Sequence, residues 1–302
     1  MLSGRVRLLD LDGSVAAQAD FIREVAAERV DLTRLGPAAR LWANRAQADA
    51  IRAALEPAAK DAITFLGSGD FHYVSALLLE QFREPITLVV FDHHPDWDRL
   101  PPRRGCGAWI SRALEQKNIE QIFLVGNASA DLAFPAVVAG RRAAAHTGRV
   151  VLLPYELARP QVWPFRFPAR ELKANPIGAF AEILPALAGR RVYVSVDKDC
   201  LTSEGALTNW EEGRLPLPLL LTYLGLLQST CELVGADVTG DYSPAVLPGR
   251  WKQGCSNFDH PRDFSARGRE PAEIARLNGE TNRRIVDLLR RGCETDVHTQ
   301  IF

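Results

Sequence analysis

Short apolar runs alternate along the chain with stretches whose apolar residues recur at helical spacing. The runs Val6–Asp10, Ile63–Leu66, Ile86–Asp92, Gln121–Val125, Val150–Leu153, Arg191–Val196 and Glu232–Val238 are rich in β-branched and aliphatic residues and read as buried strands. Helical patterns occupy Ala16–Ala27, Ala46–Glu56, Tyr73–Phe82, Ala108–Lys117, Ile177–Ala188, Pro216–Ser229 and Pro271–Arg291. This strand–helix alternation predicts an α/β fold, a mainly parallel sheet with helices on both faces. Two stretches break the pattern and read as irregular, Tyr155–Pro176 and Tyr242–Arg269.

No repeat, low-complexity linker or composition break interrupts the 302 residues, so one domain spanning 1–302 is expected. A net charge of −1 leaves no basic footprint for nucleic acid or an acidic membrane surface. No apolar run reaches the length of a membrane span. Cys106, Cys200, Cys231, Cys255 and Cys293 are odd in number and lack CxxC spacing, which fits reduced thiols in a cytoplasmic protein.

The chemistry sits where strands end. In open parallel sheets ligands bind beyond the carboxyl ends of the strands, and four of the expected strands deliver acids or histidines there. Gly67-Ser68-Gly69-Asp70-Phe71-His72 follows one, and Asp92-His93-His94-Pro95-Asp96 a second. Asp197-Lys198-Asp199 and Thr239-Gly240-Asp241 follow the other two. Successive residues of an extended chain face opposite ways, so Asp92, His94 and Asp96 are expected to converge at the sheet edge while His93 and Pro95 point away. Asp92, Asp96, Asp197 and Asp199 in one crevice would repel one another and take up protons unless cations compensated them. Two divalent ions balance four carboxylates and leave His72 and His94 as neutral ligands. A donor set rich in carboxylate and free of thiolate favours Mn²⁺ over Zn²⁺ or copper. Two such ions lower the pKa of a shared water and generate hydroxide at neutral pH, able to attack an electron-poor sp² carbon.

Gly69-Asp70-Phe71-His72, Asp92-x-His94-x-Asp96 and Ser195-Val196-Asp197-x-Asp199, in this order between about Phe65 and Pro244, resemble the ureohydrolase family of arginases, agmatinases and formimidoylglutamases. The resemblance implies a three-layer α/β/α sandwich around the sheet and two Mn²⁺ per chain. It implies a hydrolase that cleaves a linear C–N bond of a small guanidino or amidino substrate by a metal-bridging hydroxide, in a homo-oligomer. It implies His72, Asp92, Asp96 and Asp197 as ligands of one ion, and Asp92, His94, Asp197 and Asp199 as ligands of the other, so that Asp92 and Asp197 bridge. Asp96 matches the carboxylate that steers the hydroxide and relays a proton to the leaving amine. Asp241 matches the acid that grips the guanidinium or amidine.

The loops around these motifs depart from the family. Cys106, in Gly105-Cys106-Gly107, stands where arginases and agmatinases carry a proton-shuttling His. Leu207–Gly213 replaces a Pro- and Gly-rich loop, and Trp97–Arg104 replaces the stretch that recognises an α-amino acid in arginases. Arg103, Cys106, Asn209, Trp210 and Glu211 are therefore candidates for substrate contact, and an arginase is not expected. Trp97 and Trp109 read as packing residues, and His93, His146, His260 and His298 as ordinary core or surface histidines.

Three alternatives stand beside this reading. One is a catalytically degenerate relative that binds metal or ligand without turnover. Another is a deacetylase-like hydrolase with one Zn²⁺, against which His72 and the second acid of the Asp197/Asp199 pair speak. A third starts from Asp10-Leu11-Asp12-Gly13, which resembles the nucleophile motif of haloacid-dehalogenase-type phosphotransferases but lacks that family's downstream partners.

Overall fold

In a computed structural model describing residues 1–55, 60–100, 104–245, 247–248, 250–259, 264 and 266–299 (backbone only at 251, 255, 257–259 and 292–299), the seven apolar runs and one further segment form eight strands of one sheet. They are β1 (Val6–Asp10), β2 (Glu28–Asp31), β3 (Ile63–Gly67), β4 (Ile86–Phe91), β5 (Ile119–Val125), β6 (Val150–Leu153), β7 (Arg191–Asp197) and β8 (Glu232–Thr239). Their spatial order is β2-β1-β3-β8-β7-β4-β5-β6, with every neighbouring pair parallel.

Strands of such a sheet are buried on both faces, which explains their near-continuous hydrophobicity. Alternate side chains of β4 divide between the two faces. Val89 and Phe91 pack with Phe180, Tyr223 and Leu224 on one side, while Leu88 and Val90 join Ile51, Val74 and Ile110 on the other. Helices Ala19–Val25, Leu217–Thr230 and Pro271–Thr299 supply the first outer layer; Arg45–Leu55, Val74–Leu79 and Trp109–Ala113 supply the second. This is the three-layer α/β/α arrangement that the sequence resemblance implies.

Several elements differ from the expected pattern, among them the short helices Gly36–Ala39 and Arg142–His146, and three of the differences have a clear physical cause. The edge strand β2 was not expected, because Glu28, Arg29 and Asp31 carry no apolar signal and the strand pairs only with β1. The helix expected over Ile177–Ala188 is broken into Pro176–Ala181 and Leu184–Leu187, since Pro185 has no N–H to donate and its ring crowds the preceding turn. Tyr242–Arg269, expected to be irregular, contains the helix Arg250–Asp259, whose pattern is masked by Gly254 and by Pro248 and Gly249 before it. No helix among the described residues is long and apolar enough to cross a membrane.

Register positions the chemistry. Phe91 of β4 lies opposite Val196 of β7, Asp197 opposite Thr239 of β8, and Thr239 opposite Gly67 of β3. Four adjacent strands thus end level with one another. The residues that follow them emerge at one edge of the sheet.

Candidate metal centre

His72, Asp92, Asp96 and Asp197 meet beyond these four strand ends. His72 Nδ1 lies 3.2 Å from Asp92 Oδ2, 3.3 Å from Asp96 Oδ2 and 3.3 Å from Asp197 Oδ2. His94 Nδ1 lies 2.9 Å from Asp199 Oδ2 and 3.9 Å from Asp92 Oδ1. Asp92 therefore presents one oxygen to each group, and the two triads His72–Asp92–Asp197 and Asp92–His94–Asp199 share it. Asp197 turns only Oδ2 toward the first group, because its Oδ1 accepts the Asp199 N–H at 3.0 Å.

The hydrogen bonds around His72 assign its tautomer. Asp237 Oδ1 accepts the hydroxyls of Ser195 (2.7 Å) and Ser75 (3.0 Å), so the Ser195 oxygen is left as acceptor for His72 Nε2–H at 3.0 Å. The lone pair then sits on Nδ1, a buried atom with no hydrogen-bond partner among the described residues, which faces three carboxylate oxygens. Separations of 3.2–3.3 Å are long for charge-assisted hydrogen bonds. They fit ligand atoms about a common ion, since donors ~2.1 Å from an octahedral cation stand ~3 Å apart.

Without a cation the cluster must hold protons. Burial opposes a charge on His72, but Asp197, Asp92 and Asp96 outweigh it and raise its pKa well above the ordinary value. Burial, then Asp96 and Asp199, push the Asp92 carboxyl well up, and burial with Asp199 brings Asp197 to about 6. Asp199 runs the other way, lowered against its own burial by the nearby His94 ring. A divalent ion would take the place of those protons, and the donor set fits one.

Local structure explains why the six residues converge, and it is not simple strand alternation. The strand stops at Phe91, and Asp92 Oδ1 accepts the His94 N–H at 2.7 Å in a tight turn. Asp96 then adopts φ +45°, a left-handed conformation uncommon outside glycine. The indole N–H of Trp109 donates to Asp96 Oδ2 at 2.9 Å and its ring packs 4.6 Å from that of His72. From the end of β5, Asn127 Nδ2 donates to the carbonyls of Asp92 (2.9 Å) and His94 (2.8 Å). On the facing loops Gly69 and Gly240 give room. A Cβ on Gly69 would lie 2.9 Å from Asp197 Oδ2; one on Gly240, where φ is +89°, would lie 2.4 Å from Asp197 Oδ1.

A cavity of ≈ 400 Å³ opens over the cluster. Cys106, Trp210 and Glu211 line it, together with Asp98 and Asp131. Arg103 lies outside the described residues.

Two of the expected substrate residues are not among those lining it. Asn209 is buried and ties loops together, donating to the Ser243 carbonyl at 2.6 Å and accepting from Ser68 Oγ (3.3 Å) and Ser243 N (2.9 Å). Asp241 is 1% exposed and turned inward, where its Oδ1 accepts from Lys198 Nζ (2.7 Å) and Gln18 Nε2 (2.6 Å). The expectation that Asp241 grips a substrate cation is corrected accordingly. Gly240 occupies the position beside Asp197, and the acid one residue later serves a buried ion pair.

The phosphotransferase alternative also fails on contacts. Asp10 is spent on Arg29 (2.8 and 2.5 Å) and on the Gly13 N–H. Asp12 braces the His72 loop through Ser68 N and Ser243 Oγ. Strand ends alone do not reveal Asn127, nor a role for Trp109 beyond packing; the polar atoms of both act only through tertiary contacts. His93, expected to be an ordinary histidine, has Nε2 3.4 Å from Glu211 Oε2.

No protein-family model matches the chain. An uncharacterized protein of Thermotoga maritima is 28% identical over 190 residues, a stretch covering 63% of this chain and 61% of that protein, so less than two thirds of the relative's length is matched. Among solved structures, agmatine ureohydrolase of Thermoplasma volcanium superposes with a TM-score of 0.57 at 14% identity, covering 98% of this chain and 92% of its own. Arginase from Medicago truncatula gives a TM-score of 0.54 at 15% identity, covering 93% and 86%. At such identities the likeness establishes the fold.

Proposed function

We propose that this chain is a divergent ureohydrolase, a single-domain hydrolase that cleaves a linear C–N bond of a guanidino or amidino compound with two Mn²⁺ held by His72, Asp92, His94, Asp96, Asp197 and Asp199. The observation that carries the proposal is Asp92, whose two oxygens face the two imidazoles from opposite donor sets, 3.2 Å from His72 Nδ1 and 3.9 Å from His94 Nδ1. Four carboxylates match the charge of two divalent ions, and oxygen-rich coordination favours manganese over zinc. When bound, the pair supplies an activated water as nucleophile at neutral pH.

The chain's own residues do the rest. An amidinium or guanidinium is a cation, and the cavity offers Asp98, Asp131 and Glu211 to hold it in the role that Asp241 does not fill. Burial first, and then the neighbouring carboxylates of Asp131 and Asp96, raise Asp98 to about 6. Asp96 stands at the cavity with Oδ2 steadied by the Trp109 N–H, suited to passing a proton to the leaving amine. Cys106 and Trp210 form apolar wall.

The inward turn of Asp241 favours a second reading, a protein that binds metal and ligand without turnover. One assay separates the two. Manganese-loaded protein is offered guanidino acids, agmatine-like amines and formimidoyl compounds, and urea or formamide is measured. The hydrolase reading expects manganese-dependent release from at least one class; metal-replete protein that releases neither product from any of them supports the binder.

A further inference from the structure

Next to the six-residue cluster stands an imidazole that the proposed reaction does not use. His93 is 4% exposed; among the described residues its Nδ1 is buried with no hydrogen-bond partner, and its Nε2 lies 3.4 Å from a Glu211 oxygen. Its backbone is firmly held: the N–H donates to Asp199 Oδ1 at 3.1 Å, and the carbonyl accepts from Ala128 N (3.1 Å) and Ser129 N (3.2 Å). The His94 ring lies 4.8 Å away and nearly perpendicular, at 83°. One ligand atom from each of His93, His94 and Glu211 lies within 4.8 Å of the other two.

We infer that His93, His94 and Glu211 form a third cation seat, suited to zinc, which competes with the carboxylate-rich centre for His94. Two imidazoles and one carboxylate with a position left open are a zinc donor set, unlike the oxygen-rich set beside it. The atoms need to draw in, since ligands ~2.1 Å from a tetrahedral ion stand ~3.4 Å apart. Glu211 is the arm that closes, because its side chain is 54% exposed while the two rings are held in the fold.

Competition follows from valence. A neutral imidazole has one lone pair, so His94 serves either the group with Asp92 and Asp199 or the group with His93 and Glu211. Zinc in the new seat therefore withdraws a ligand from one of the paired ions. This inference concerns control of the centre and holds whatever the substrate.

The test is a zinc titration of the manganese-loaded full chain, with elemental analysis of bound and released metal. Wild type is expected to take up one zinc per chain and release one manganese. Glu211→Gln and His93→Asn are expected to bind that zinc at least about tenfold more weakly, while loading manganese as wild type does. Equal zinc affinity in wild type and Glu211→Gln overturns the proposal, as does zinc uptake that releases no manganese. Repeating the titration on metal-free protein makes the outcome independent of whether manganese binds, because wild type and Glu211→Gln differ there only in the zinc seat.

Discussion

Asp92→Asn is expected to remove both cations and to lower turnover by about 10³-fold or more, whereas Asp199→Asn removes only one cation. Asp92 is the carboxylate that faces both imidazoles, Oδ2 toward His72 and Oδ1 toward His94, while Asp199 Oδ2 approaches only His94. Asparagine keeps the size of Asp92 and can keep its turn, because the amide oxygen still accepts the His94 N–H that Asp92 Oδ1 accepts at 2.7 Å. What it loses is the charge and a second oxygen donor. Metal activation of a nucleophile contributes several kcal/mol, and each 1.36 kcal/mol is tenfold in rate. Metal content per chain after manganese loading and gel filtration measures the effect directly. Equal loss of one ion in both variants would mean that Asp92 does not span the two sets.

Lys198→Met is expected to destabilise the fold by about 3–5 kcal/mol. Lys198 is wholly buried between the two acids Asp197 and Asp199, and its ammonium donates to Asp241 Oδ1 at 2.7 Å and Asn282 Oδ1 at 2.8 Å. Burial drives the Lys198 pKa down, and the facing Asp241 carboxylate acts to restore it. Gln18 and Asn282 close the network from the N-terminal segment and the last helix, with Asn282 Nδ2 on Gln18 Oε1 at 2.9 Å. Removing the cation strands a buried carboxylate, and that stranded charge, more than the lost attraction, sets the cost. Lys198→Met/Asp241→Asn is therefore expected to be more stable than Lys198→Met alone. Denaturant unfolding of wild type and the two variants measures the difference. A single variant within about 0.5 kcal/mol of wild type would contradict it.

The network also explains which parts of the site could be read along the chain. His72, Asp92, His94, Asp96, Asp197 and Asp199 were legible because each ends or follows a buried strand, and the parallel sheet brings those ends level. Asp241 satisfies the same rule and still turns away, because its direction is decided by Lys198, Gln18 and Asn282, residues 43, 223 and 41 positions distant. Asn209 looked like a loop residue over the cavity, but its amide is taken up by Ser68 and Ser243. Trp109 looked like core and is core, yet its one polar atom holds Asp96. Strand β2 escaped the hydrophobic pattern because Glu28–Asp31 lies at the sheet edge and is largely exposed. Pattern reports which residues arrive at the strand ends. Partners far along the chain decide where their side chains then point.

Everything proposed for the reaction depends on one carboxylate, Asp92, standing between two metal ions. Anomalous diffraction from manganese-loaded crystals, recorded on both sides of the manganese edge, decides whether it does. Two manganese peaks per chain are expected, one beside His72, Asp96 and Asp197 and one beside His94 and Asp199, with Asp92 between them. A crystal with no manganese peak at this cluster, or with a single zinc there, would contradict that arrangement.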